Sequence, residues 1–93
     1  MLSQFPINLE KISKENLNKE ILRLGMIAEL DAISLYEQLA EVTDSQEIKK
    51  VLLDIAKEEK THVGEFQAIL LKEDLEQVKE LERGKKEVEE LME

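Results

Sequence analysis

The sequence predicts an all-α fold, an antiparallel two-helix hairpin followed by a short C-terminal helix. Three observations predict it. Proline occurs once, at Pro6, and glycine only at Gly25, Gly64 and Gly84, so little interrupts helix. Apolar residues recur with helical period through two long stretches, as they do on a helix that buries one face. A single polar break at Thr43, Asp44 and Ser45 separates those stretches.

Taken in order, residues 1–12 read as an irregular lead. Ser13 is the expected N-cap of the first helix, with Glu15 in its first turn, where the helix dipole favours an acid. Helix-forming residues then continue to about Val42. Asp44, with Glu47 three residues on, has the form of a capping box that opens a second helix, which runs to about Lys72. The hairpin therefore occupies 13–72. Residues 73–93 form a charged C-terminal helix or spacer, helix-prone from about Asp74 to Met92 and expected to break at Gly84.

Composition narrows the function. A chain of 93 residues makes one domain with a marginal core of its own. It has no cysteine, which removes disulfides, thiolate metal sites and iron–sulfur clusters. Charged residues reach 38% and the net charge is −9, which disfavours nucleic acid and anionic membranes and permits attraction of cations. No run approaches the roughly 20 apolar residues of a membrane span. The start, MLSQFPINLE, has no basic segment followed by an apolar one, so the expected location is cytoplasmic.

Helical phase locates the chemistry. At about 100° per residue, Leu22, Gly25, Met26, Ala32, Ile33, Tyr36 and Ala40 fall within about 60° of Glu29. On the second helix Ile48, Leu52, Ile55, Ala56, His62, Val63, Phe66 and Leu70 fall in the same arc around Glu59. Each apolar face thus carries an acid in its middle. Glu29 and Glu59 are equidistant in sequence from Asp44, about 22 Å from the turn at about 1.5 Å per residue. In an antiparallel hairpin the two carboxylates should meet.

Two facing carboxylates in a dry interior repel, and each costs several kcal/mol unless paired or bound to metal. A dication relieves both, and the imidazole of His62, the chain's only histidine, is a good co-ligand for iron, zinc or manganese. Glu59-x-x-His62 places both side chains on one face. Alone, that spacing recurs in many charged helices as a surface glutamate and a half-buried histidine. Here the apolar phase of both residues and the matched level of Glu29 favour a site. One chain supplies half a ligand set. Carboxylate-bridged two-metal sites in four-helix bundles use a glutamate from each of two helices and a Glu-x-x-His from each of the other two. A twofold dimer would complete the set, with the site on the axis, and would enlarge the core.

The segments AELDAISLYEQLAE (28–41) and LLDIAKEEKTHVGEF (52–66) resemble the ferritin-like superfamily close to the rubrerythrins, and in detail the encapsulated ferritins, whose chains are two-helix half-ferritins. The resemblance covers roughly residues 14–75. It implies a dimer forming a ferritin-like four-helix bundle around two iron ions, a ferroxidase centre. Glu29 would be a metal ligand, Glu59 a bridging ligand and His62 a terminal nitrogen ligand, and these three would be the catalytic residues. Tyr36 would hydrogen-bond a ligand carboxylate; the plain alternative is a core tyrosine. The resemblance also implies homodimers assembling into a ring, commonly a decamer, inside an encapsulin shell, the protein nanocompartment where iron is stored. Asp31 is the one acid near Glu29 that could serve iron entry, since Ala28 and Leu30 stand where relatives often carry further acids. Leu35 replaces a tryptophan found in some members. The C-terminus has no recognisable shell-targeting tail, and some archaeal relatives are fused to the shell protein, so a free chain, a targeted one and a fusion domain all stay open.

The expected reaction is therefore oxidation of Fe(II) to Fe(III) by dioxygen or peroxide. A rubrerythrin-like peroxide reductase would use the same metals, yet no cysteine is present for a rubredoxin centre. A helical dimerisation module, with Glu59 and His62 in a buried hydrogen bond, is the rival without catalysis. A second apolar flank on the first helix, formed by Ile21, Leu24, Ala28, Leu35 and Leu39, lies about 80° to 140° from Glu29. It points to a neighbour contact such as a ring of dimers requires.

Overall fold

Helix formers dominate the chain, and helices result. The computed structural model describes residues 8–93. Helix α1 spans Lys14–Val42, α2 Gln46–Glu73 and α3 Leu75–Leu91, after a 3-10 turn at Leu9–Lys11. Among the described residues there is no strand. Of the lead, residues 1–7, Pro6 included, lie outside the described residues.

The helix ends follow from local chemistry, and two differ from expectation. Ser13 occupies the α1 N-cap with extended backbone, but its hydroxyl accepts no capping hydrogen bond; its carbonyl instead accepts from Asn16 N at 3.0 Å. At the hairpin turn the N-cap is Ser45, one residue after Asp44. Thr43 Oγ1 accepts from Ser45 N at 3.2 Å, and Ser45 Oγ accepts from Ile48 N at 3.2 Å. The two hydroxyls divide the work expected of Asp44, which stays exposed in the turn.

Gly84 does not split α3. A glycine inside a helix costs about 1 kcal/mol relative to alanine, too little to open a long helix in which the Arg83–Glu87 pair spans the glycine. Arg83 reaches Glu87 at 3.2 Å and Glu80 at 4.0 Å, one on either side of the glycine. The break between α2 and α3 falls instead at Asp74. Its main-chain N–H closes α2 on Leu70 O at 2.9 Å, while its Oδ1 caps α3 by accepting from Gln77 N at 3.0 Å. Its Oδ2 accepts from Arg23 Nη2 at 3.1 Å, which ties this corner to α1. Arg23 also donates to Glu20 Oε1 at 2.9 Å.

The long helices α1 and α2 pack against each other, and α3 packs only lightly against α2. The result is flat, 47 × 45 × 20 Å, with a radius of gyration of 16.6 Å. A compact domain of this length would measure roughly 12 Å. Among the described residues the buried apolar set is small: Leu22, Ala40, Ala56 and Leu70. Much apolar surface is left uncovered, including Ile21, Leu35 and Leu39 of the predicted flank at 47%, 38% and 42% exposure. Leu24 and Ala28 of that flank are half-buried. Two long helices thus hold a site between them with little core around it.

Candidate metal centre

Midway along the hairpin, Glu29 on α1 and Glu59 and His62 on α2 come together. The antiparallel pairing sets the level, and the apolar residues around each acid turn the carboxylates inward. His62 Nδ1 lies 3.4 Å from Glu29 Oε1 and 3.5 Å from Glu59 Oε2. One ligand atom from each residue falls within 4.8 Å of the others. The glutamate side chains are mostly covered, at 18% and 19% exposure, while the imidazole is 43% exposed.

Glu29 Oε2 is buried and has no hydrogen-bond partner. Two carboxylates bring acceptors only, and one imidazole cannot supply donors for all of their oxygens. A cation would satisfy the orphaned oxygen and remove the repulsion at once, so the residues fit a divalent metal with oxygen and nitrogen ligands.

The other predicted residues fall differently. Tyr36 is half-buried on the Glu29 stripe, and no hydrogen bond joins its hydroxyl to either carboxylate among the described residues. Asp31 is 8% exposed and about 200° around α1 from Glu29 at about 100° per residue, so it does not join the cluster. On the outer side of the hairpin Lys60 Nζ pairs with Glu37 Oε2 at 3.1 Å, an exposed pair worth about 0–1 kcal/mol. The sequence reading missed the Arg23–Asp74 pair. Its only available signal was a capping aspartate near the end of α2, since the partners are 51 residues apart.

Residues 20–93 match the rubrerythrin family. The chain belongs to that family. Within it, the chain is 57% identical over 94 residues to a ferritin-like–encapsulin shell fusion protein of Pyrococcus furiosus, covering 98% of this chain and 27% of that protein. It is 38% identical over 56 residues to the encapsulin nanocompartment cargo protein EncC of Myxococcus xanthus, covering 60% of this chain and 43% of that protein. The match therefore spans less than half the length of either curated relative. Among solved structures, the encapsulated ferritin domain from Pyrococcus furiosus superposes with a TM-score of 0.84 at 54% identity, over 98% of this chain and 95% of that one. The rubrerythrin-family, ferritin-like helical fold is thus shared across nearly the whole chain.

Proposed function

We propose that this rubrerythrin-family chain is a ferroxidase, oxidising Fe(II) to Fe(III) at a two-iron site completed between two subunits. The observation that carries the reading is the convergence of Glu29, Glu59 and His62 around a buried carboxylate oxygen with no partner. One chain holds two carboxylates and one imidazole. A twofold copy doubles the set to the four glutamates and two histidines that carboxylate-bridged two-metal sites use. Fe(II) is the substrate, and each ion surrenders one electron to dioxygen or peroxide. In this reading Glu59 would be the ligand shared between the ions and would accommodate both valences, while Glu29 and His62 would each hold one ion. The negative surface, net charge −9, favours the approach of the cation.

The names of the relatives support a setting for this activity. One relative is fused to an encapsulin shell protein and another is an encapsulin cargo protein. We place this chain in a ring of dimers, a decamer in the simplest case, enclosed by such a shell in the cytoplasm and delivering ferric iron for storage there. Among the described residues no helix is long and apolar enough to cross a membrane. The peroxide-reductase reading is the weaker one, because the chain has no cysteine to carry electrons to the metals. A dimerisation module without catalysis would have no use for the orphaned Glu29 oxygen.

The test is Fe(II) oxidation followed by absorbance, with particle mass followed by light scattering with and without Fe(II). A metal bound only by the assembled state shifts association by mass action. We expect rapid oxidation and a larger particle on loading. A loaded species that stays monomeric, or purified protein that binds no iron, overturns the reading.

A further inference from the structure

Gly25 lies inside α1, where glycine is the poorest helix former after proline. No glycine among the described residues has a positive φ, so the backbone does not require it. The explanation is on the facing helix. A β-carbon at Gly25 would stand 2.9 Å from Phe66 Cε1 and Cζ and 3.0 Å from Cδ1. Carbon atoms in contact prefer about 3.5–4.0 Å, so the ring occupies the space a side chain would take. By contrast, a β-carbon at Gly64 or Gly84 would meet nothing within 4 Å.

The contact sits beside the metal cluster on both helices. Gly25 is one turn before Glu29 on α1, and Phe66 is one turn after His62 on α2, each on the same face as its neighbour. Long side chains on a helix lean toward its N-terminus, which carries the Phe66 ring toward the His62 turn. We propose that Gly25 and Phe66 are positioning residues, whose ring-on-glycine contact sets the approach of α1 to α2 and thereby the spacing of Glu29 against Glu59 and His62 for metal binding. The inference rests on the metal-centre reading above and extends it to residues that touch no ligand.

Magnitudes favour a measurable effect. Relieving a 2.9 Å contact to van der Waals distance needs about half an ångström or more. Ligand distances in a metal site tolerate only about 0.2 Å. If even half of the relief comes from parting the helices, the cluster leaves that tolerance. The opposite case is a ring that simply turns aside, leaving the helices where they were, and the experiment separates the two.

Four forms of the full chain are compared: wild type, Gly25→Ala, Phe66→Leu and the double variant. Co(II) affinity and its visible absorption bands are measured, with helicity from circular dichroism and particle mass from light scattering. We expect Gly25→Ala to keep its helicity and mass, to bind Co(II) about tenfold more weakly, as loss of supporting contacts around a metal does, and to change the band intensities. Phe66→Leu should also weaken binding, because a void replaces the wedge. The double variant should bind more tightly than either single variant, a coupling expected only of residues that act through one contact. Unchanged affinity in Gly25→Ala overturns the proposal, as does a double variant that binds no better than the singles. Where Gly25→Ala alone does not fold, the double variant against Phe66→Leu decides: tighter binding supports the contact, equal or weaker binding overturns it. Glu29→Gln is the control for the reading beneath. If it binds Co(II) as well as wild type, or wild type binds none, the metal centre itself has failed and the spacing role falls with it. If only the Gly25 and Phe66 results fail, the metal centre stands.

Discussion

Glu29 Oε2 is buried without a partner, and an unsatisfied buried polar group costs about 1–3 kcal/mol. Folding alone does not explain such an atom. We expect Glu29→Gln to raise the metal-free unfolding free energy by about 1 kcal/mol while removing metal binding, the opposed signs that mark a site held at the expense of stability. Denaturant unfolding with a chelator present, alongside metal titration, checks both. Glu59→Ala and His62→Ala should keep the helices and lower the Fe(II) oxidation rate by more than about 100-fold, since even groups that only support a ligand cost about 10–100-fold. The exposed neighbours Glu58 and Glu65 are the comparison, and their alanine variants should oxidise iron as wild type does. A Glu58→Ala variant as slow as Glu59→Ala would show that the faces have been misassigned. At this scale the three ligand candidates were legible in the sequence because helical phase and distance from the turn are simple geometry. Phe66 against Gly25 was not, because both residues read as members of an apolar stripe and only coordinates reveal a missing β-carbon as a socket.

Helix α3 carries its own test of what sequence can and cannot specify. Its length was legible from composition, but the expected break at Gly84 weighed propensity against nothing, whereas Arg83 bonds across the glycine to Glu87. With nothing within 4 Å of a β-carbon there, Gly84→Ala should stabilise α3 by about 1 kcal/mol. Slower hydrogen exchange in α3 amides, with α1 and α2 unchanged, is the expected readout. The start of α3 depends on Asp74. Its carboxyl is held below its ordinary value of 3.8, chiefly by the Gln77 N–H, with Lys19 and Arg23 helping and partial burial opposing. A lowered folded-state value means that the ionised form is favoured by folding. Its contribution is present above the ordinary value and is lost as pH falls through the lowered one. Thermal midpoints of wild type should therefore fall more steeply below pH 3.8 than those of Asp74→Asn, which has no charge to lose there. Equal slopes would remove Asp74 from the acid response. The Ser45 cap was missed for a related reason: Asp44 and Ser45 are both good caps, and the Thr43 hydroxyl that selects between them is a detail of the folded turn.

A plate 47 × 45 × 20 Å in extent, whose buried apolar residues among those described are Leu22, Ala40, Ala56 and Leu70, is a molecule that has yet to finish burying itself. Its uncovered residues lie on more than one side. Ile21, Leu35 and Leu39 remain exposed on α1, and Ile48, Val51 and Leu53 on α2. A second copy at the His62 edge would complete the metal set, and the α1 flank would then be free for a different neighbour. Two unlike contacts per subunit close most simply into a ring. A ring has an open centre, unlike a closed cage. Beyond its first turn α3 is exposed throughout, so it extends the subunit without sealing an interior. Oxidation and storage should therefore separate: this chain alone should convert Fe(II) to Fe(III) yet fail to retain the mineral. The measurement is to add several tens of Fe(II) per subunit in air and follow turbidity, then assay soluble particles for iron and protein. We expect fast oxidation followed by ferric precipitation outside the protein, and clear solutions only when an enclosing shell is supplied. A soluble iron core bounded by this chain alone would mean that its apolar faces close a cage, and the ring would have to be abandoned.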